Sequence, residues 1–256
     1  MKKLLSAIFA LATVMTASAQ FNLQLHYDLG RTINKDSESN RQLFTTTAEF
    51  FRADRLGSTF LFIDLDYKGK GENNDGVLGA YWEIGRDFTF YKLKNTNSSL
   101  TAHVEYDGGC NVSSGPFQQA LLAGPAWQWH SNDFSKTFTF QALYKQFLKH
   151  GTCKSIASFQ ATAVWGITFA QGLCTFSGFA DLWYGYIPAF DATGAQKKGM
   201  VFLTEPQFWV NVMGKNSQND KLSIGTEIEM SNNFVWATSG DDSFFVNPTL
   251  AVKYTF

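Results

Sequence analysis

Beyond its first nineteen residues, the sequence lacks any apolar run near the roughly 20 residues that a helix needs to cross hydrocarbon, which excludes spanning helices there. It also lacks an excess of basic charge. With 21 Lys and Arg against 22 Asp and Glu, no basic patch invites a nucleic-acid polymer. Histidine is scarce, at positions 26, 103, 130 and 150, and neither G-x-S-x-G nor H-E-x-x-H occurs. No hydrolase or zinc signature is therefore present, and no enzyme activity or cofactor is expected. Cysteine numbers only 3, an odd count that leaves one thiol over in an oxidising compartment. No linker interrupts the chain, so a single domain is expected.

The amino terminus carries Lys2 and Lys3, an apolar run from Leu4 to Val14, and the small residues Thr16-Ala17-Ser18-Ala19 before Gln20. That is the order of a cleavable secretory signal. Residues 1–19 are read as the signal and 20–256 as the mature domain. No cysteine follows the cleavage point, so no lipid anchor is expected. Cleavage removes two basic residues and no acidic one, leaving 19 basic against 22 acidic side chains.

What the sequence has in abundance is aromatic residues, 16% of the chain with 25 Phe, at a mean hydropathy of only −0.15. Their arrangement has period two. Phe21, Leu23, Leu25, Tyr27 and Leu29 alternate with Asn22, Gln24, His26, Asp28 and Gly30, which gives a strand one apolar and one polar face. The alternation returns near 42–53, 57–67, 77–91, 99–107, 117–130, 134–147, 156–170, 173–185, 200–212, 220–231 and 244–256. Connections alternate too, tight at Ala53 to Gly57, Ser131 to Asp133 and Gln171-Gly172, long at Lys68 to Gly76 and Gly185 to Gly199. An even strand number with alternating short and long connections is the pattern of an antiparallel 12-stranded transmembrane β-barrel of the bacterial outer membrane. The alternative, a secreted β-sandwich or lipocalin-like barrel, would have to bury Asp and Glu in a dry core.

With the apolar set facing lipid, the lumen receives His26, Asp28, Glu49, Asp64, Asp66, Tyr81, Glu83, His103, Glu105, Asp107, Lys145, Gln160, Asp181, Trp183, Glu205, Gln207, Trp209, Glu227, Glu229 and Lys253. Of these, Asp64, Asp66, Tyr81, Glu83, His103, Glu105, Trp183, Glu205, Gln207, Trp209 and Glu227 are the candidate solute contacts. Carboxylates there outnumber the two lysines, which favours cations, while the rings offer flat faces for stacking. His103, Glu105 and Asp107 repeat about every 7 Å along one strand face. One ion cannot be held by all three without a ligand from another strand, so no metal site is expected. Cys110 and Cys153 fall in two outer loops and Cys174 just inside the ninth strand, which makes a Cys110–Cys153 disulfide the natural pairing, with three free thiols as the alternative.

The last segment alternates Pro248, Leu250, Val252, Tyr254 and Phe256, and a terminal Phe after such a run resembles the signal read by the barrel-assembly machinery. Together with Thr45-Thr46-Thr47-Ala48-Glu49-Phe50-Phe51, Phe60 to Tyr67 with Asp64 and Asp66, Tyr81-Trp82-Glu83-Ile84-Gly85-Arg86, Glu205-Pro206-Gln207-Phe208-Trp209 and Lys253-Tyr254-Thr255-Phe256, it makes the chain resemble a branch of the Tsx-like nucleoside-specific channel family. The resemblance implies a narrow, monomeric, twelve-stranded barrel passing nucleosides by weak binding to aromatic and polar lumen residues. It does not align the nucleoside contacts residue by residue. A closed structural or interaction barrel is the rival reading, and a lumenal enzyme assembled across strands the third.

The leader generates the first prediction. Mass spectrometry of the mature protein should find Gln20 at its amino terminus, and retention of Met1 to Ala19 would refute the signal.

Overall fold

The computed structural model describes residues 19–36, 41–69, 76–112, 115–151, 153–213, 221–237 and 244–256. The expected signal lies outside them except for its last residue. The strands are β1 (Ala19–Asp28), β2 (Phe44–Asp54), β3 (Gly57–Lys68), β4 (Gly76–Lys92), β5 (Ser98–Asn111), the two-residue β6 (Gly115–Pro116), β7 (Ala120–His130), β8 (Lys136–Phe147), β9 (Ile156–Phe169), β10 (Cys174–Phe190), β11 (Gln196–Thr204), β12 (Gln207–Asn211), β13 (Leu222–Asn232) and β14 (Phe244–Thr255). A four-residue helix, α1 (Gly30–Ile33), follows β1. Sequential wall strands pair antiparallel, and β1 pairs with β14 at Leu23↔Tyr254 and His26↔Ala251 to close the ring. Because β11 and β12 form one wall strand and β6 is only a two-residue antiparallel partner at the end of β5, the barrel has twelve strands.

Burial separates the two faces. Along β14, Leu250 is 59% exposed and Val252 45%, whereas Asn247 between β13 and β1 is fully covered. Leu25, Ile84, Phe140, Phe159 and Ile224 continue the exposed apolar belt around the wall. Water would not tolerate a belt of that extent; lipid does, and the pattern rejects the soluble sandwich. Polar residues on the inner face are covered instead, among them Gln24, His26, Asp28 and Thr101.

Tight turns join the strands at the end that holds the termini. At the β2–β3 turn, Asp54 accepts backbone N–H groups of Leu56 and Gly57 and a two-pronged Arg86 contact at 2.9 Å on each arm. Arg86, then the Leu56 amide, hold its carboxyl down at about 2. In the β7–β8 turn the hydroxyls of Ser131 and Ser135 do the same for Asp133, also at about 2. At the opposite end the first connection folds inward, with Gly30 of α1 buried against Asn247. A Cβ on Gly30 would stand 2.2 Å from the Asn247 Oδ1. Arg41 then reaches back to Asp28 at 2.8 Å and Glu229 at 3.4 Å.

Several boundaries differ from the periodicity. The expected strand at 200–212 is broken between Thr204 and Gln207, because Pro206 has no N–H to give the ladder. Ile228 donates to the Pro206 carbonyl and receives nothing in return. Opposite the break Gly178 has φ 148°, and a Cβ there would meet the Glu205 carbonyl at 2.5 Å. The expected loop Gly185 to Gly199 is mostly a strand hairpin, leaving only residues 191–195 as its turn. The sixth expected strand, β7 here, starts at Ala120 rather than 117. The Cys110–Cys153 pairing is corrected: all three cysteines are free thiols. Cys110 lies inside β5, in register with Ala80 and Pro116 and not in a loop, while the Cys153 Sγ sits 3.7 Å from the Gln196 Oε1.

Two predictions follow from the wall. Ala163 and Val164 are neighbours on β9, in register with outward Phe140 and inward Thr139 respectively. Ala163→Arg should lose folded barrel, since Arg on a barrel's lipid face costs about 2–4 kcal/mol near the midplane, while Val164→Arg is tolerated. Gel mobility of unheated against heated samples reads both, and equal tolerance would invalidate the face assignment. Gly178→Val, forced into a positive φ against the Glu205 carbonyl, should lower the thermal midpoint; an unchanged midpoint would remove the strain.

Candidate functional site

The strand alternation carries every expected lumenal side chain to the inside, and register then decides who meets whom. Asn22 stands opposite Glu49, Thr45 opposite Asp66, Thr47 opposite Asp64, and Gln207 opposite Glu227. Each of these pairs is a hydrogen bond from a neutral donor to a carboxylate. Asn22 Nδ2 donates at 2.7 Å, Thr45 Oγ1 at 2.7 Å, Gln207 Nε2 at 2.6 Å, and Thr47 closes the fourth. The donors satisfy the oxygens without cancelling their charge.

Two acidic groups result. On β4, β5 and β10 lie Glu83, Glu105, Asp107 and Asp181. The Tyr81 hydroxyl donates to Glu83 Oε1 at 2.7 Å, and Lys145 donates to Asp107 at 3.0 Å and Gln160 at 2.7 Å. On β2, β3 and β13 lie Glu49, Asp64, Glu227 and Glu229. Glu205, at the Pro206 break, feels the charges of Glu227, Glu229, Asp64 and Glu83 and so joins the two. Most of these carboxylates are half-buried; Asp107 is buried at 5% exposure.

The remaining candidates have structural company. His103 is held between Asp87 at 3.0 Å and Glu105 at 3.1 Å, so both ring nitrogens are engaged. Trp209 is buried at 1% exposure, with its indole N–H donated to Gln207, the His26 ring at its edge and the Lys253 Nζ 4.0 Å above its face. Its expected role as an open stacking surface is not available in this arrangement. Trp183 is half-buried, with the Lys145 Nζ 5.1 Å from its ring and Phe234 at its edge. Asp66 lies toward the inward-folded first connection, near Arg41.

Arg41 is the lumenal residue that sequence reasoning missed. It precedes β2 in an irregular stretch where period two has nothing to say, and only the inward fold of that stretch brings it to Asp28 and Glu229. Asp87 was likewise missed, although it continues the Tyr81, Glu83, Gly85 alternation and could have been found by extending it. An apolar groove lined by Phe208, Val210, Ile224, Leu250 and Val252 lies on the lipid-facing side of β12–β14, away from the acidic side chains.

Among solved structures, the NanC porin is similar at TM-score 0.54 and 8% identity, over 91% of this chain and 98% of that one. The outer-membrane protein Omp33 and the outer-membrane channel DcaP, both of Acinetobacter baumannii, align over 94% of this chain and 100% and 99% of theirs, at 9% identity and TM-scores of 0.38 and 0.34. At such identities the likeness to the porin concerns the fold, a closed twelve-stranded barrel of the outer-membrane type. No curated protein matches in sequence. A family model does match, across the whole barrel, and by it the chain belongs over residues 19–256 to DUF5020, a domain of unknown function.

Proposed function

We propose that the protein is a channel of the bacterial outer membrane through which small solutes pass passively, with nucleosides among them. The observation that carries this reading is the half-burial of Glu49, Asp64, Glu83, Glu105, Glu205 and Glu227 on the inner face. Carboxyl groups held inside a barrel wall at that exposure need water beside them. The porin architecture supports the transport reading, and the Tsx-like segments supply the nucleoside. The solute contacts we assign are Asp64, Asp66, Tyr81, Glu83, Glu105, Trp183, Glu205, Gln207 and Glu227, with the half-buried Trp183 and Tyr81 as the rings that could stack; His103 and Trp209, buried and engaged by their neighbours, are left out of the set. Residues 1–19 direct export, the β14 terminus serves barrel assembly, and the barrel acts as a monomer with its longer connections outside the cell.

A closed barrel is the second reading, favoured by the inner side chains Val201, Trp209, Leu122 and Leu143, each no more than 3% exposed. Planar-bilayer conductance separates the two: the channel conducts and a closed barrel does not. In an open pore, current should favour cations and the preference should weaken at high salt, where the Debye length falls. Glu83→Gln with Glu205→Gln should reduce it, and a reversal potential favouring anions in the unmodified protein would defeat the acidic-lumen assignment. Adenosine or thymidine should block in a concentration-dependent way, and Trp183→Ala should weaken that block by about 1–3 kcal/mol, the scale of one base stacked on a ring. Reagents that cannot cross the membrane should label residues introduced at 70–75 in intact cells and spare those at 214–220; the reverse would invert the orientation.

A further inference from the structure

We propose that Glu83, Glu105 and Asp107 form a binding site for a divalent cation, and that the cation is Ca2+. Spacing along one strand argues against a shared ion, because Glu105 and Asp107 are a full pleat repeat apart. The neighbouring strand supplies what that spacing lacks. Glu83 on β4 is in register with Asp107 on β5, and one carboxylate oxygen from each of the three residues lies within 4.8 Å of the others. Ca2+ binds oxygen at 2.3–2.6 Å, so ligands on opposite sides of one ion stand about 5 Å apart.

Proximity of acids alone would not make a site. The independent observation is Asp107, whose side chain is 7% exposed: Oδ2 takes the Lys145 ammonium, while Oδ1 is buried and has no hydrogen-bond partner. A buried carboxylate oxygen without a donor is costly unless a cation meets it. Charge points the same way. The group of Glu83, Glu105, Asp107 and Asp181 has the Lys145 ammonium and His103, the latter shared between Asp87 and Glu105, as its basic neighbours, so acidic groups outnumber basic ones. A divalent ion offsets most of that excess.

The donor set selects the metal. All three ligands are oxygens, and both nitrogens of the adjacent His103 are already engaged, so a nitrogen- or sulfur-preferring ion finds nothing. Tyr81 fixes Glu83 through its hydroxyl. Gly85 leaves the approach clear, since a Cβ there would stand 3.3 Å from Glu105 Oε2. Mg2+ demands a tighter octahedron and retains its waters, whereas Ca2+ accepts carboxylates at irregular angles.

The site does not depend on transport and is tested on the folded barrel in detergent after chelator dialysis. Calorimetric titration with CaCl2 should show one ion per chain, and the thermal midpoint should rise with CaCl2 concentration. Glu105→Gln should weaken binding by more than about tenfold, while Glu229→Gln in the other acidic group leaves it intact. Should Asp107→Asn fail to fold once Lys145 loses its carboxylate partner, Glu105→Gln still decides. Absence of binding at millimolar CaCl2, or binding indifferent to Glu105→Gln, overturns the site. MgCl2 binding as tightly as CaCl2 overturns the choice of ion. A chain that binds Ca2+ without conducting would separate this site from the channel reading.

Discussion

A peptide group in hydrocarbon has no water to turn to, so each N–H and C=O at membrane depth must find its partner in the protein. With no helix among the described residues long and apolar enough to cross a membrane, one sheet closed on itself meets that demand, and the β1–β14 seam is where closure happens. Once the ring is closed, the pleat divides every strand between lipid and interior. The outward belt of Leu25, Ile84, Phe140 and Leu250 and the inward row of Asn, Gln, Asp and Glu are two faces of the same alternation.

Inside, the wall pairs its acids with amides and hydroxyls from the next strand more often than with cations. Asn22, Thr45, Thr47 and Gln207 from the next strand, and Tyr81 two residues along β4 from Glu83, satisfy oxygen lone pairs without supplying a positive charge. The cations that are present sit to the sides: Arg41 at the inward-folded connection, Lys145 against Asp107, and Lys253 over the Trp209 ring. An acid-lined interior therefore follows from the register, and it is this lining that a solute or an ion entering the barrel would meet.

Much of this was legible in the sequence because period two is a local property. The alternation from Phe21 to Gly30 and from Leu222 to Met230 fixes which side chains face inward, and the strand number follows from counting its recurrences. What escaped was non-local. Arg41 sits in irregular backbone, and its partners are chosen by how α1 docks on Asn247. The engagement of Trp209 by Lys253 depends on β14 lying beside β13, a neighbour relation carried by no single segment. The cysteine pairing failed for a related reason: Cys110 was counted as loop, while the ladder runs on through it to Asn111.

The break at Pro206 gives the wall a mechanical property. Pairing resumes on both sides in the same register, Ala180 with Thr204 and Ser177 with Gln207, so the interruption neither shifts nor bends the alignment. It removes stiffness at one place. The backbone of Glu205 lies at this interruption, its N–H donated to the Phe179 carbonyl while the Pro206 carbonyl accepts from Ile228. The carboxylate that lies between the two acidic groups is thus carried on the residue where the ladder loses one donor to Pro206 and keeps its own bond to Phe179.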